Sequence, residues 1–198
     1  MLAVKEEINM NKTFIALMKK RAGNGSVGPS TARGMGPPGT IKAAKTFLHN
    51  FNLKSVNAHN EASFLKELNK TTEKLRRKLP RGGRHWGSSR KFLNIFLRNC
   101  LYNRYLCDHY RIGHLEAWLE VPLDSHVAKG LRLEEEGKDL PRWKTVIGLK
   151  RSVSGKFQNA ATLVAKRKKM ARVHLDNIYY RSVHMADKAG QKCKTNRV

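Results

Sequence analysis

Acidic side chains are scarce in this chain. Its 198 residues carry 15 Asp and Glu against 40 Lys and Arg, a formal net charge of +25. That imbalance exceeds what solubility requires and implies a polyanionic partner, nucleic acid ahead of an anionic membrane surface. Cysteine is scarce too. Cys100, Cys107 and Cys193 make no paired framework, and no Cys/His spacing has the form of a zinc site. Cys100 and Cys107 fall in an apolar helical stretch and read as small core residues. A reducing, cytoplasmic setting is therefore expected, nucleoid-associated if the source is bacterial. No apolar run is long enough to span a bilayer, which returns the charge to nucleic acid. The first residues carry Glu6 and Glu7 and no cleavable apolar stretch, so secretion is not expected. Short alternating β-branched runs between turns are missing, which leaves an all-α class of roughly six to eight helices. The glycines of Thr31-Ala32-Arg33-Gly34-Met35-Gly36 are followed by no nucleotide-loop lysine, so nucleotide hydrolysis is not expected.

What is present suits one compact helical domain. Hydrophobic residues make up 40% of the chain, enough for a core. Residues 1–39 read as an N-terminal helix and a flexible linker. The helix spans 2–20 and turns Ile8, Phe14, Ile15, Leu17 and Met18 inward. Residues 23–40 hold six glycines and three prolines, and either tether that helix or pack as a loop. The domain proper covers 40–187, and 188–198 form a basic tail. Thr40 opens a helix through Phe51, and a second spans 60–79 until Pro80 stops it.

A long helix then runs from a Ser88 or Ser89 cap to about Tyr110, apolar nearly all round its first turns and hence buried. Lys91, Asn94 and Arg98 share one stripe of it, the pattern of a helix lining a cleft. Further on, Asp124 is placed to cap a helix carrying Val127, Ala128 and Leu131. Trp143, Val146, Ile147 and Leu149 continue the core, and a final helix covers 156–185, with a break allowed. Eight of the 15 acids lie between Asp108 and Asp139, a zone suited to carboxylate chemistry or to an ordinary solvated surface. His174 and Asp176 can orient one another, or simply face solvent on a helical turn.

Gly87-Ser88-Ser89-Arg90-Lys91, followed by Phe92-Leu93-Asn94, resembles the hairpin of the helix-hairpin-helix DNA glycosylase superfamily, which includes the 8-oxoguanine and endonuclease III-like enzymes. That superfamily commonly reads Gly-x-Gly-Arg-Lys-x-x-Asn there. Pro122-Leu123-Asp124-Ser125-His126-Val127 is similar to its Val-Asp-Thr-His-Val/Ile element. Motif support covers residues 80–132, with lysine before aspartate as in the family; elsewhere the likeness is helical content alone. The chain departs from the pattern at Ser89, where the family has a second glycine. It also lacks the iron–sulfur cysteines, as many members do. The stretch from Lys91 to Asp124 is longer than in common bacterial members and must hold an extra helical segment from Tyr102 to Trp118; the archaeal 8-oxoguanine branch also has a longer separation.

The resemblance implies a DNA N-glycosylase with abasic-site lyase activity. Lys91 would be the amine that attacks C1′, Asp124 the carboxylate that steadies the sugar as the base departs, and His126 a packing or phosphate-side residue. Duplex DNA is the expected partner of a monomer needing no cofactor, metal or obligate protein partner. The hairpin and helix would supply Arg81, Gly83, Arg84, Gly87, Ser89, Arg90, Asn94 and Arg98 to the nucleic acid. A damaged base must leave the stack, with Trp86, Trp118, Tyr102 and Tyr105 as candidate wedges. The alternative is a non-enzymatic basic helical protein that binds DNA or RNA, with Asp124 only a cap. A basic structural or ribosome-associated protein is a third reading.

Overall fold

Residues 86–102 carry apolar side chains on almost every face, and the rest of the chain is arranged to cover them. The computed structural model describes residues 12–180, and its regular elements are all helical, with no strand among the described residues. We number the α-helices α1 (Lys12–Ser26), α2 (Thr40–Asn50), α3 (Glu61–Lys78), α4 (Trp86–Tyr102), α5 (Arg104–Tyr110), α6 (Ser125–Leu133) and α7 (Arg151–Arg167). Short 3-10 turns lie at Leu53–Val56, Arg81–Gly83, Gly113–Ala117, Glu135–Gly137 and Arg172–His174. Residues 175–180 are helical again. Among the described residues no helix is long and apolar enough to cross a membrane.

α4 is the axle. Phe92, Leu93, Phe96, Leu97 and Cys100 are buried along it, and each large side chain so removed from water contributes roughly 1.5–3 kcal/mol. α1, α3 and α5 pack around it. The apolar faces of α1, α2, α3 and α4 meet in one cluster containing Ile15, Leu48, Phe64, Leu75 and Phe96. A second cluster gathers Val127 and Leu131 of α6 with Phe157 and Val164 of α7. Trp143 touches both clusters, so the seam between them runs beside it.

Several boundaries differ from the sequence expectation for local reasons. α4 begins at Trp86, so Ser88 and Ser89 lie inside its first turn, fully buried rather than capping it. The Ser89 hydroxyl donates to the His85 carbonyl. α4 also ends early. Asn103 leaves helical geometry, and its side chain accepts from the Leu106 amide to cap α5. The helix expected over 156–185, with a break allowed, begins at Arg151 and breaks after Arg167, where Lys169 takes a left-handed backbone (φ 54°) before residues 172–174; its residues 181–185 lie outside the described residues.

The segment over 23–40, expected either to tether the first helix or to pack as a loop, is partly helical and partly packed against the core. α1 runs through Gly23 to Ser26, and Val27 and Met35 are buried in the first cluster. Gly36 has φ 155°, and a Cβ there would come within 2.8 Å of the Gly83 Cα, so the two backbones are in direct contact. The segment is therefore a packed wall. Residues 2–11 of the expected first helix, Cys193 and the expected basic tail lie outside the described residues.

Near the end of α7 the guanidinium of Arg167 clasps the acidic turn. It donates to Glu136 at 2.7 and 3.1 Å and to Glu134 at 2.6 Å. Lys168 also pairs with Glu134, and the Tyr179 hydroxyl donates to it. Arg167 holds the Glu136 carboxyl down to about 2, from an ordinary 4.5. Burial raises the Glu134 carboxyl, but its hydrogen bonds from Arg167, Lys168 and Tyr179 outweigh that and leave it lowered. A carboxyl depressed by folding adds stability that is complete above its unfolded value and is lost as pH falls toward the folded one. The clasp should therefore weaken between pH 4.5 and about 2. Melting temperatures across that window should fall less steeply in Arg167→Ala than in the parent; equal slopes would remove the clasp from the acid response.

Candidate functional site

Lys91 and its neighbour Arg90 are both buried on α4, Lys91 against a cleft and Arg90 in the interior. Arg90 is nearly fully buried. Its Nε lies 3.0 Å from Glu120 Oε2, and it donates to Thr72 Oγ1 at 2.7 Å and to Asn69 Oδ1 on α3. Its guanidinium stacks on the Trp86 ring at 5.0 Å. Burial lowers the Arg90 pKa from its ordinary value, and the Glu120 charge works against that fall. Asn94 donates to the same Glu120 carboxylate at 3.0 Å.

Glu120 belongs to an extended segment threaded between α4 and α7. Arg172 donates to the carbonyls of Trp118 (2.8 Å) and Leu119 (3.1 Å). The Gln158 amide brackets Val121, accepting from its N–H at 3.1 Å and donating to its carbonyl at 2.8 Å. These contacts satisfy a buried backbone that has no secondary-structure partner. The segment emerges at Asp124, which caps α6: Oδ1 accepts from the amides of His126 (2.9 Å) and Val127 (3.1 Å). Its other oxygen, Oδ2, lies 3.4 Å from Lys91 Nζ. One carboxylate oxygen thus holds a helix and the other faces an amine.

A cleft of about 940 Å³ opens on this pair. Lys91, Ile95 and Arg98 come from α4; Asp124, Ser125 and His126 from the start of α6. Residues of the 25–35 segment, the 143–147 loop and the 176–180 stretch complete the walls. Arg98 forms an ion pair with Asp176, and burial lowers its pKa, while the Tyr102 and Asp124 charges oppose that shift. His126 and Tyr180 meet edge to face at 6.3 Å. Among the described residues no group of three or more His, Cys, Asp or Glu side chains could hold a metal ion.

The structure therefore brings together Lys91, Arg98, Asp124 and His126. It does not bring Gly87, Ser89, Arg90 and Asn94 to a surface. All four are buried, because α4 is enclosed from its first turn. Gly87 lies against the 145–149 loop, where a Cβ would come within 2.0 Å of the Val146 carbonyl oxygen. A phosphate contact through these four residues is corrected to an interior role. Gly83 is buried against the Gly36 wall. Arg81 and Arg84 are exposed at the turn before α4, Arg84 with its Nε donating to the Leu79 carbonyl. His174 and Asp176 do not orient one another. His174 bonds Tyr102 and Glu116 through its two ring nitrogens, and Asp176 pairs with Arg98.

Sequence reasoning missed Arg33, Trp143, Lys144, Ile147 and Tyr180 as cleft residues. The one charge in an otherwise neutral Gly/Pro segment was the available signal for Arg33. The aromatic wedge candidates are committed elsewhere: Trp86 to Arg90, Trp118 to Phe64, Tyr102 to His174, and Tyr105 to Phe14.

The tight approach at Gly87 yields a test. Gly87→Ala must push the Val146 carbonyl away, and overpacking of this kind costs roughly 1–3 kcal/mol. A denaturant midpoint unchanged from the parent would show that the loop yields freely. Comparison with protein-family models, curated proteins and solved structures gives no match.

Proposed function

We propose that the chain is a DNA base-excision glycosylase with abasic-site lyase activity, acting through Lys91 and Asp124. The observation that carries this reading is the 3.4 Å approach of Lys91 Nζ to Asp124 Oδ2 on the wall of one cleft. The cleft's volume falls within the roughly 300–1,000 Å³ of ligand sites, and an extruded nucleoside is its proposed occupant. The net charge of +25 supplies the field that draws a phosphate backbone to it.

In the proposed reaction the C1′–N bond breaks, its electron pair leaves with the base, and the base takes up a proton. The Asp124 carboxylate offsets the positive charge that develops on the sugar. Lys91 gives a proton to the Asp124 carboxylate, and the resulting amine donates its lone pair to C1′ and then passes a proton to O4′. The C1′–O4′ bond then opens with its pair on oxygen, leaving a Schiff base between sugar and lysine. Loss of a proton from C2′ expels the 3′ phosphate with the C3′–O pair. Arg98, Lys144 and Arg33 line the same cleft and offer charge-assisted contacts to the flanking phosphates.

Borohydride reduces a Schiff base to a permanent link. The parent protein should be trapped on duplex DNA carrying an abasic site or an oxidised base, and Lys91→Gln should give no adduct. Asp124→Asn separates the cap from the chemistry. Asn caps a helix as well as Asp, so α6 should keep its cap and melting should fall only by the loss of the Lys91 contact, while the trapping rate should drop about a hundredfold or more. Absence of an adduct on every damaged substrate would remove the lyase step and leave at most a monofunctional enzyme. If base release is absent too, and binding is unaltered by Asp124→Asn, the chain is a basic nucleic-acid-binding protein.

A further inference from the structure

The sequence pattern places Ile147 in the core with Trp143, Val146 and Leu149, and the structure separates it from them. Val146 and Leu149 are buried, whereas Ile147 is 39% exposed. Of the large apolar side chains that reach solvent, Ile147 and Tyr180 line the Lys91–Asp124 cleft. Tyr180 sits edge-on to His126. Ile147 is presented by a loop held down on both sides. Trp143 packs edge-on against Phe157 at 5.5 Å. The Val146 carbonyl lies directly over Gly87, one helical turn before Lys91 on α4, and accepts from the Leu149 amide at 3.1 Å. The Gly148 amide donates to Thr145 Oγ1 at 3.1 Å. Two buried anchors three residues apart therefore project what lies between them outward.

The surroundings of that side chain are cationic. Arg142, Lys144 and Lys150 are exposed along the same loop, and residues 140–150 contain no acid. An exposed aliphatic side chain between lysines, on a pinned loop that lines the cleft, matches what a stacked polyanion demands. The cations meet phosphates, and the branched hydrocarbon enters between bases. A loop that could give way would return the inserted side chain to solvent; this one is backed by the helix that carries Lys91.

We propose that Ile147 is the wedge that enters the duplex base stack and holds open the gap left by a nucleotide turned into the cleft. This rests on the glycosylase reading, and its test is built to fail separately. The first arm uses the full chain in a Lys91→Gln background, which blocks the covalent step. It is mixed with duplex DNA bearing 2-aminopurine, whose fluorescence rises on unstacking, beside an abasic site. Binding should raise the signal several-fold. The rise should be largely lost in Lys91→Gln/Ile147→Ala and mostly restored in Lys91→Gln/Ile147→Leu, which returns the bulk.

The second arm uses borohydride trapping with Lys91 in place. Ile147→Ala should lower the rate on duplex DNA by roughly tenfold more than on a single strand, where no stacked duplex has to be opened. An equal fluorescence rise with alanine, no rise with any variant, or the same proportional loss on both substrates would each overturn the wedge. Trapping of the parent on single-stranded abasic DNA reports on Lys91 alone, so that reading stands or falls apart from Ile147.

Discussion

The buried contact between Arg90 and Glu120 is the constraint on which the site depends. It ties the middle of an extended strand-like segment to the second turn of α4, with side chains 5% and 8% exposed. Burying two charges is costly, and such a pair gives little net stability over an apolar one of the same shape. Its effect is positional. Once Glu120 is fixed beside Arg90, Asp124 has only four residues in which to leave the interior, and Pro122 and the buried Leu123 limit their path. Lys91 follows Arg90 directly. The register of one ion pair thus sets the distance of the next. Thr72, Asn69 and Asn94 supply hydrogen bonds to Arg90 and Glu120, the condition under which buried charges persist.

The cleft follows from the way two apolar clusters meet. The α1–α5 cluster and the α6–α7 cluster are each apolar, but along their seam the chain places polar groups from α4 and α6. The Gly/Pro segment closes one side of it. Short side chains and backbone contact there let the wall sit close to the turn before α4 without filling the space in front of Lys91. A basic surface gathers around the opening, and the two carboxylates within it, Asp124 and Asp176, each answer a cation of α4.

Much of this was legible in the residues. Helical spacing identified α2 and α3 nearly to their ends, and the N-cap at Asp124 followed from its position before an apolar repeat. The stripe through Lys91 and Arg98 indicated a cleft because charges rarely sit on a helix that is otherwise buried. Asn94 shared that spacing and went inward, since Glu120 offered it a partner that a linear reading cannot see. The same limit applies to Arg90, Gly87 and Ser89. Each looked like a phosphate contact because its chemistry suits one, and each is enclosed by segments 18 or more positions away along the chain or by its own helix. The Gly/Pro stretch stayed open between tether and packed loop for a related reason. Composition reports conformational freedom in isolation, and packing against Gly83 removes it.

The division of labour within Asp124 has a dynamic consequence. Its Oδ1 is occupied by two amides of α6, so the carboxylate plane is fixed to that helix and cannot swing independently. A proton arriving at Oδ2 would leave both amide contacts in place. In the proposed reaction the helix end need not fray and re-form, and the residue can accept a proton while the scaffold around it stays still.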